Sequence, residues 1–286
     1  MAAVVLALCS AAAFGSLAVT LTFALRRCKD AELGTFATVL AALIPVGIVA
    51  LIRLDWNPEV WRYLLAGMLA PGASQMLYVL AIREAGPARS ALVVGAAPLV
   101  SVTLAVAVFG EPASAPLIAG AVLIVLGGIS LGIERVRPES FRAIGLVFAF
   151  GCAAFFATRD NVVRRFAVHE HVSPELAAGA TIVAGGVLIG LFLVARRGAS
   201  GPFRGLGPAF VAFAPSGLLW GMSYVFLFEA FARGRVSIVS PLVGVESLVG
   251  VVLAALILGR SELVGRNLLI GAALIVTGGA LISAFR

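Results

Sequence analysis

Ten runs of about 20 apolar residues take up nearly the whole chain, at 3–25, 34–52, 63–82, 88–109, 115–133, 142–163, 174–195, 208–231, 236–258 and 264–285. A helix needs about 20 such residues to cross the hydrocarbon layer. Only helices and closed barrels satisfy their own backbone groups there. A barrel requires short alternating segments, and these runs do not alternate, so the fold class is all-α integral membrane with ten transmembrane helices. Composition excludes the soluble reading: 61 % of the chain is apolar and 12 % charged, against about 45–50 % and about 25 % in soluble domains. The first run could pass for a signal peptide, but it lacks a basic leader and reads as a span.

The second half repeats the first. Gly120–Gly128 (GAVLIVLGG) matches Gly271–Gly279 (GAALIVTGG) at an offset of 151 residues, which also sets Glu111 on Glu262. An offset of 149 sets Ala91, Gly95, Val102 and Ala105 on Ser240, Gly244, Val251 and Ala254, and one of 138 sets Thr20, Arg26 and Arg27 on Thr158, Arg164 and Arg165. Spans 1–5 therefore correspond to spans 6–10, dividing the chain into repeats at 1–137 and 138–286. Five is odd, so the second copy enters the membrane from the opposite side. Two inverted five-helix repeats imply alternating access to a site between them.

Charge is sparse and placed at the ends of the runs. Lys and Arg outnumber Asp and Glu by 21 to 14, an excess that reads here as membrane-flank anchors rather than a nucleic-acid surface. Thirteen of the 21 lie in odd-numbered connections and eight on the other side, which predicts cytoplasmic odd connections and both termini outside. Cys9, Cys28 and Cys152 have no metal or redox spacing and read as unpaired. His169 and His171 flank Glu170, but no third ligand is evident, so a solvated loop is expected and no metal or other cofactor. No phosphate-binding G-x-x-x-x-G-K-[ST] loop is present.

Ionisable groups at membrane depth are functional candidates by default. Glu246, mid-way along span 9, is the strongest: it is a candidate for proton coupling or for pairing with a cationic substrate group, against a protonated, hydrogen-bonded core residue. Small residues line one face of span 4 (Ala91, Gly95, Pro98, Ala105) and of span 9 (Ser240, Gly244, Ser247, Ala254), and serve close packing or line a cavity. At 100° per residue, Glu246 lies well over 90° from the span 9 stripe, so in a straight helix the two cannot share a cavity. Pro241 is the candidate kink. Thr158, Arg159, Asp160 and Asn161 end span 6 as gating or, preferably, interfacial residues. Ser74, Gln75 and Tyr78 in span 3, with Trp220, Ser223, Tyr224 and Glu229 in span 8, supply pocket candidates, since a buried amide needs hydrogen-bond partners. Arg83 and Glu84 read as a solvated pair. Gly128-xxx-Gly132 and Gly279-xxx-Ser283 offer helix-packing faces within the chain, a dimer face being the alternative.

Ala11–Ser16 (AAAFGS), Ala96-Ala97-Pro98, Phe109-Gly110-Glu111 and the Gly120–Gly128 segment together make the chain similar to the drug/metabolite transporter superfamily, specifically its ten-helix EamA-type members. In the second half Ser247 stands where that family usually has proline. The resemblance implies a secondary active transporter exporting small polar or amphipathic metabolites such as amino acids, by alternating access, in a bacterial inner membrane. It also implies both termini inside, opposite to the charge count. A passive facilitator or channel, or an integral membrane enzyme acting on lipid-linked substrates, are the other readings. The enzyme is disfavoured because paired intramembrane carboxylates for metal-assisted chemistry are missing. The partners expected are a small-molecule metabolite, protons and the lipid bilayer, with no nucleic acid; the oligomeric state is open.

Overall fold

A computed structural model describes residues 2–53, 57–109, 114–132, 138–167, 172–233, 239, 242–259 and 265–284. Every run is helical where described, and the described residues contain no strand. Spans 1 and 2 are α1 (Ala2–Arg27) and α2 (Ala31–Arg53). Span 3 is split: α3 (Trp61–Gly67), a wide π-turn over Met68–Ala73, and α4 (Ser74–Ala85). Span 4 is split into α5 (Pro87–Val94) and α6 (Ala97–Phe109). Spans 5 to 8 are α7 (Ala115–Gly132), α8 (Ile144–Ala167), α9 (Pro174–Arg197) and α10 (Leu206–Arg233). Span 9 carries α11 (Glu246–Leu253) with a π-turn at Ala254–Leu258, and span 10 is α12 (Arg266–Ala284).

Spans 3 and 4 are joined by a single residue. Gly86 adopts φ +85° and its N–H bonds back to Ile82 O at 3.0 Å, closing α4. Pro87 then opens α5, its missing N–H being one that a first turn leaves unused. Glycine supplies the left-handed backbone without a Cβ penalty.

Exchanging each span with its counterpart five places on reproduces the packing. Span 1 packs on spans 8 and 9, and span 6 packs on spans 3 and 4; span 2 packs on span 8, and span 7 on span 3. Spans 2 and 7, 4 and 9, and 5 and 10 pack against their own counterparts, as pairs on a two-fold axis must. The direction of these pairs shows the inversion. A Cβ on Gly120 would meet Gly278 O at 2.7 Å, and one on Gly127 would meet Gly271 O at 2.8 Å. Numbers rise along α7 as they fall along α12, so the two equivalent helices are antiparallel. Gly186 against Val39 and Gly190 against Phe36 give the same sense for spans 7 and 2. Equivalent helices pointing opposite ways belong to repeats inserted opposite ways.

Where lipid already surrounds apolar side chains, helices associate through close backbone approach. The glycine face is Gly120 and Gly127 on α7 against Gly271 and Gly278 on α12, one position away from the Gly128 and Gly279 expected from sequence. Gly128 has nothing within 4 Å of its Cβ position, and Gly279 rests on Pro98. One core joins spans 1, 2, 3, 4, 6, 7 and 8 around Leu17, Tyr78, Ile182 and Phe213; a second joins spans 1, 4, 5, 9 and 10 around Leu92, Ile124, Val251 and Ile275. Outward residues such as Leu51, Val122, Val147 and Leu256 remain exposed, as lipid-facing positions must.

The odd connections share one face. Arg197 holds Asp30 at 2.5 and 2.9 Å and Glu32 at 2.6 Å, and Arg196 also pairs with Glu32. The Arg142 N–H donates to Glu84 O at 2.6 Å, joining the connection after span 3 to that after span 5. The Arg197 guanidinium beside Asp30 holds that carboxyl below the usual carboxylate range.

Candidate functional site

Two broken helices meet inside the bundle. Span 4 is interrupted at Gly95-Ala96 and span 9 at Gly244-Val245, positions that the 149-residue offset makes equivalent. At each break the bonding tightens to i→i−3: Ala96 N–H donates to Val93 O at 3.0 Å and Val245 N–H to Leu242 O at 3.3 Å. A Cβ on Gly95 would stand 2.7 Å from Ser247 Cβ, and one on Gly250 would stand 2.9 Å from Ala91 Cβ. The small-residue stripes therefore pack the two broken helices on each other, and Pro98 closes onto Gly279 on span 10.

The face bearing Glu246 points elsewhere. Glu246 opens α11 directly after the break. Span 1 approaches so closely that a Cβ on Gly15 would meet Glu246 O at 2.8 Å. Glu246 is half-buried and lies within electrostatic range of Tyr78 of span 3 and Cys152 of span 6. The angular separation of stripe and carboxylate in the sequence thus corresponds to two environments, the span 4–span 9 seam and the interior.

From Tyr78 an aromatic chain continues through the interior. Phe14 stacks on Tyr78 at 5.7 Å between centroids and meets Phe156 edge-on at 6.0 Å. Arg159, one helical turn beyond Phe156, lies 5.3 Å from that ring and 5.6 Å from the ring of Tyr224. It donates to the Tyr224 hydroxyl at 2.6 Å and is only 6 % exposed. Tyr224 meets Trp220 edge-on at 5.4 Å. Spans 1, 3, 6, 8 and 9 thus bring one anion, one cation and five aromatic rings together. Arg159 belongs to this interior rather than to the interface preferred from sequence. The side chains of Asp160 and Asn161 lie outside the described residues, as do Ser240, Pro241, Glu111, Glu262 and the segment His169–His171.

The remaining polar candidates divide sharply. Ser10 and Ser223 lock spans 1 and 8: each hydroxyl reaches the other's carbonyl, at 2.9 and 3.1 Å, and the two Oγ atoms lie 3.0 Å apart. Glu229 pairs with Arg233 at 2.6 Å. By contrast Ser74 Oγ, both polar atoms of Gln75, Trp220 Nε1 and Ser216 Oγ are buried with no hydrogen-bond partner among the described residues. Cys152, Phe156 and Phe14 join the interior without having been singled out as site residues; the i, i+3 spacing of Phe156 and Arg159 was the signal available for one of them. At the odd face, Arg83, Glu84, Glu139, Ser140 and Arg142 line a hollow of about 340 Å³, where Arg83 and Glu84 pair at 2.7 Å.

This architecture is that of an inverted-repeat membrane protein with broken helices crossing at its centre, the arrangement of secondary carriers. The EamA-like transporter family model matches residues 1–132 and again 143–284. The chain belongs to that family, and is an integral membrane transporter of the drug/metabolite type with a small-molecule substrate. No curated protein matches the sequence. A solved crystal structure, described only as that of a protein, shares the fold at a TM-score of 0.60 and 20 % identity, covering 98 % of this chain and 95 % of that one.

Proposed function

We propose that the chain is a secondary active exporter of small polar or amphipathic metabolites, amino acids among them, in a bacterial inner membrane, and that Glu246 couples transport to protons. The observation that supports this reading is the position of Glu246 at the break of span 9, within electrostatic range of Tyr78 and Cys152. A carboxyl group at membrane depth is costly to insert and marks an ion or proton path. Breaking spans 4 and 9 at equivalent positions lets each outer half tilt without unwinding the other, so the repeats at 1–137 and 138–286 rock about the contacts on the two-fold axis. Arg159 and the aromatic chain line the route, with Gln75, Ser74 and Trp220 supplying polar contacts.

Purified protein in liposomes tests this. Wild type is expected to show counterflow of its cargo and pH-dependent net flux. Glu246→Gln keeps the shape and removes the titration, so exchange should persist while the pH dependence disappears. An unchanged pH profile in that variant excludes the coupling role. Flux that does not saturate excludes the carrier in favour of a channel.

A further inference from the structure

Spans 3 and 8 are equivalent, and their packing fixes a register residue by residue. Gly67 abuts Thr181 O on span 7, as Gly217 abuts Thr38 O on span 2. Further along, Gly72 lies against Gly185 and Gly221 against Ala42. Five steps in span 3 correspond to four in span 8, and the π-turn of Met68–Ala73 takes up the extra residue. Beyond it the offset is 149, which sets Ser74 on Ser223 and Gln75 on Tyr224.

The two equivalent polar pairs have different fates. Ser223 is satisfied by Ser10 on span 1, and Tyr224 accepts from Arg159 on span 6. In the first half the residues that reach this stretch of span 3 from spans 6 and 1 are Gly151, which lies on Leu77, and Phe14, which stacks on Tyr78, neither of which offers a side-chain hydrogen bond. Ser74 and Gln75 are 0 % exposed, and the hydroxyl and both amide atoms have no partner among the described residues. Their spacing of four and three residues from Tyr78 puts them on the helix face that turns toward Phe14 and the interior. A buried primary amide left unmatched is destabilising, and leucine or methionine would fill the same volume. The symmetric half shows that the fold has no need of an amide at this level.

Resting on the transport reading, we infer that Gln75 and Ser74 form the cargo's recognition half-site, and that the cargo presents an uncharged edge with a donor beside an acceptor, as a carboxamide or a nucleobase does. Gln75 Nε2 donates to the acceptor, Gln75 Oε1 takes the donor, and the Ser74 hydroxyl completes the edge. A carboxylate, which only accepts, leaves Gln75 Oε1 unmatched.

The test combines stability with exchange, using glutamine and uracil as probes for the two sources of this edge and glutamate as the charged isostere of glutamine. Wild type in liposomes should exchange glutamine or uracil and discriminate against glutamate, and the active probe should raise the thermal midpoint in detergent. Gln75→Leu removes an unmatched amide, so without cargo it should melt at or above the wild-type temperature, while the active probe binds at least about tenfold more weakly. Gln75→Asn, which keeps the amide, should recover part of that loss. A variant that melts lower without cargo shows that Gln75 is structural and overturns the inference. So does a variant that binds the probe unchanged, or exchange of a solute lacking this edge while glutamine and uracil are refused; that last result leaves the transport reading standing. A wild-type protein that exchanges no solute fails the transport reading itself.

Discussion

Arg159 shows how a single residue is made tolerable at this depth. A buried guanidinium gives up strong hydration, and the protein replaces it with two ring faces and a phenol oxygen. Tyr224→Phe keeps both rings and removes the oxygen, so the midpoint in detergent should fall by the equivalent of about 1–2 kcal/mol, while circular dichroism stays wild-type. A midpoint unchanged within error would mean the phenol contributes nothing to holding the cation. Depth was legible in the sequence for Glu246, which sits ten or more residues from either end of its run, and illegible for Arg159. The polar cluster Thr158–Asn161 imitates the end of a span, whereas α8 continues to Ala167. Arg89 misleads in the same way: it follows a one-residue connection and counts as a loop charge, yet it is 0 % exposed within α5.

At the scale of elements, hydropathy reports that a segment crosses but not whether it crosses unbroken. Runs 3, 4 and 9 are as apolar as their neighbours, and their interruptions come from local backbone bonding and from neighbours that a single run does not display. Glycine pairs at Gly95 and Gly244 were visible as small-residue stripes, but the same pattern describes simple packing. Five described helical stretches are long and apolar enough to cross, the π-turned span 3 among them, and the shorter ones depend on the contacts around them. The α7–α12 contact tests that dependence. A Cβ on Gly278 would sit 2.5 Å from Gly120 O, a backbone atom that cannot swing aside, whereas Gly128 faces open space. Gly278→Ala should therefore destabilise by about 1–3 kcal/mol. Gly128→Ala should be neutral or stabilising by up to about 1 kcal/mol through helix propensity. Equal midpoints for the two variants in a detergent melt would remove the close approach as a source of stability.

For the whole molecule, the inverted repeat was the most legible feature, because seven matches in a nine-residue segment and an odd number of spans per copy need no coordinates. Sidedness was less so, since basic residues at the ends of runs differ greatly in depth. The structure gathers the odd connections on one face through Asp30, Glu32, Arg196 and Arg197 and through Glu84 and Arg142. Neutralising these arginines does not undo a rule in which Lys and Arg count and acids contribute little, so the charge excess and the family resemblance still point opposite ways. Single cysteines in a background lacking Cys9, Cys28 and Cys152 decide between them. Ser140 and Ser200 are exposed on the odd face; Ser173 and Glu59, part-exposed, lie on the other. With both termini inside, a membrane-impermeant maleimide applied to intact cells should modify Ser140→Cys and Ser200→Cys, and should reach Ser173→Cys and Glu59→Cys only after permeabilisation. The reverse pattern assigns the odd face to the cytoplasm and keeps the fold. Labelling of Ser140→Cys and Ser173→Cys from the same side is incompatible with either orientation, because between those residues the chain crosses the membrane once.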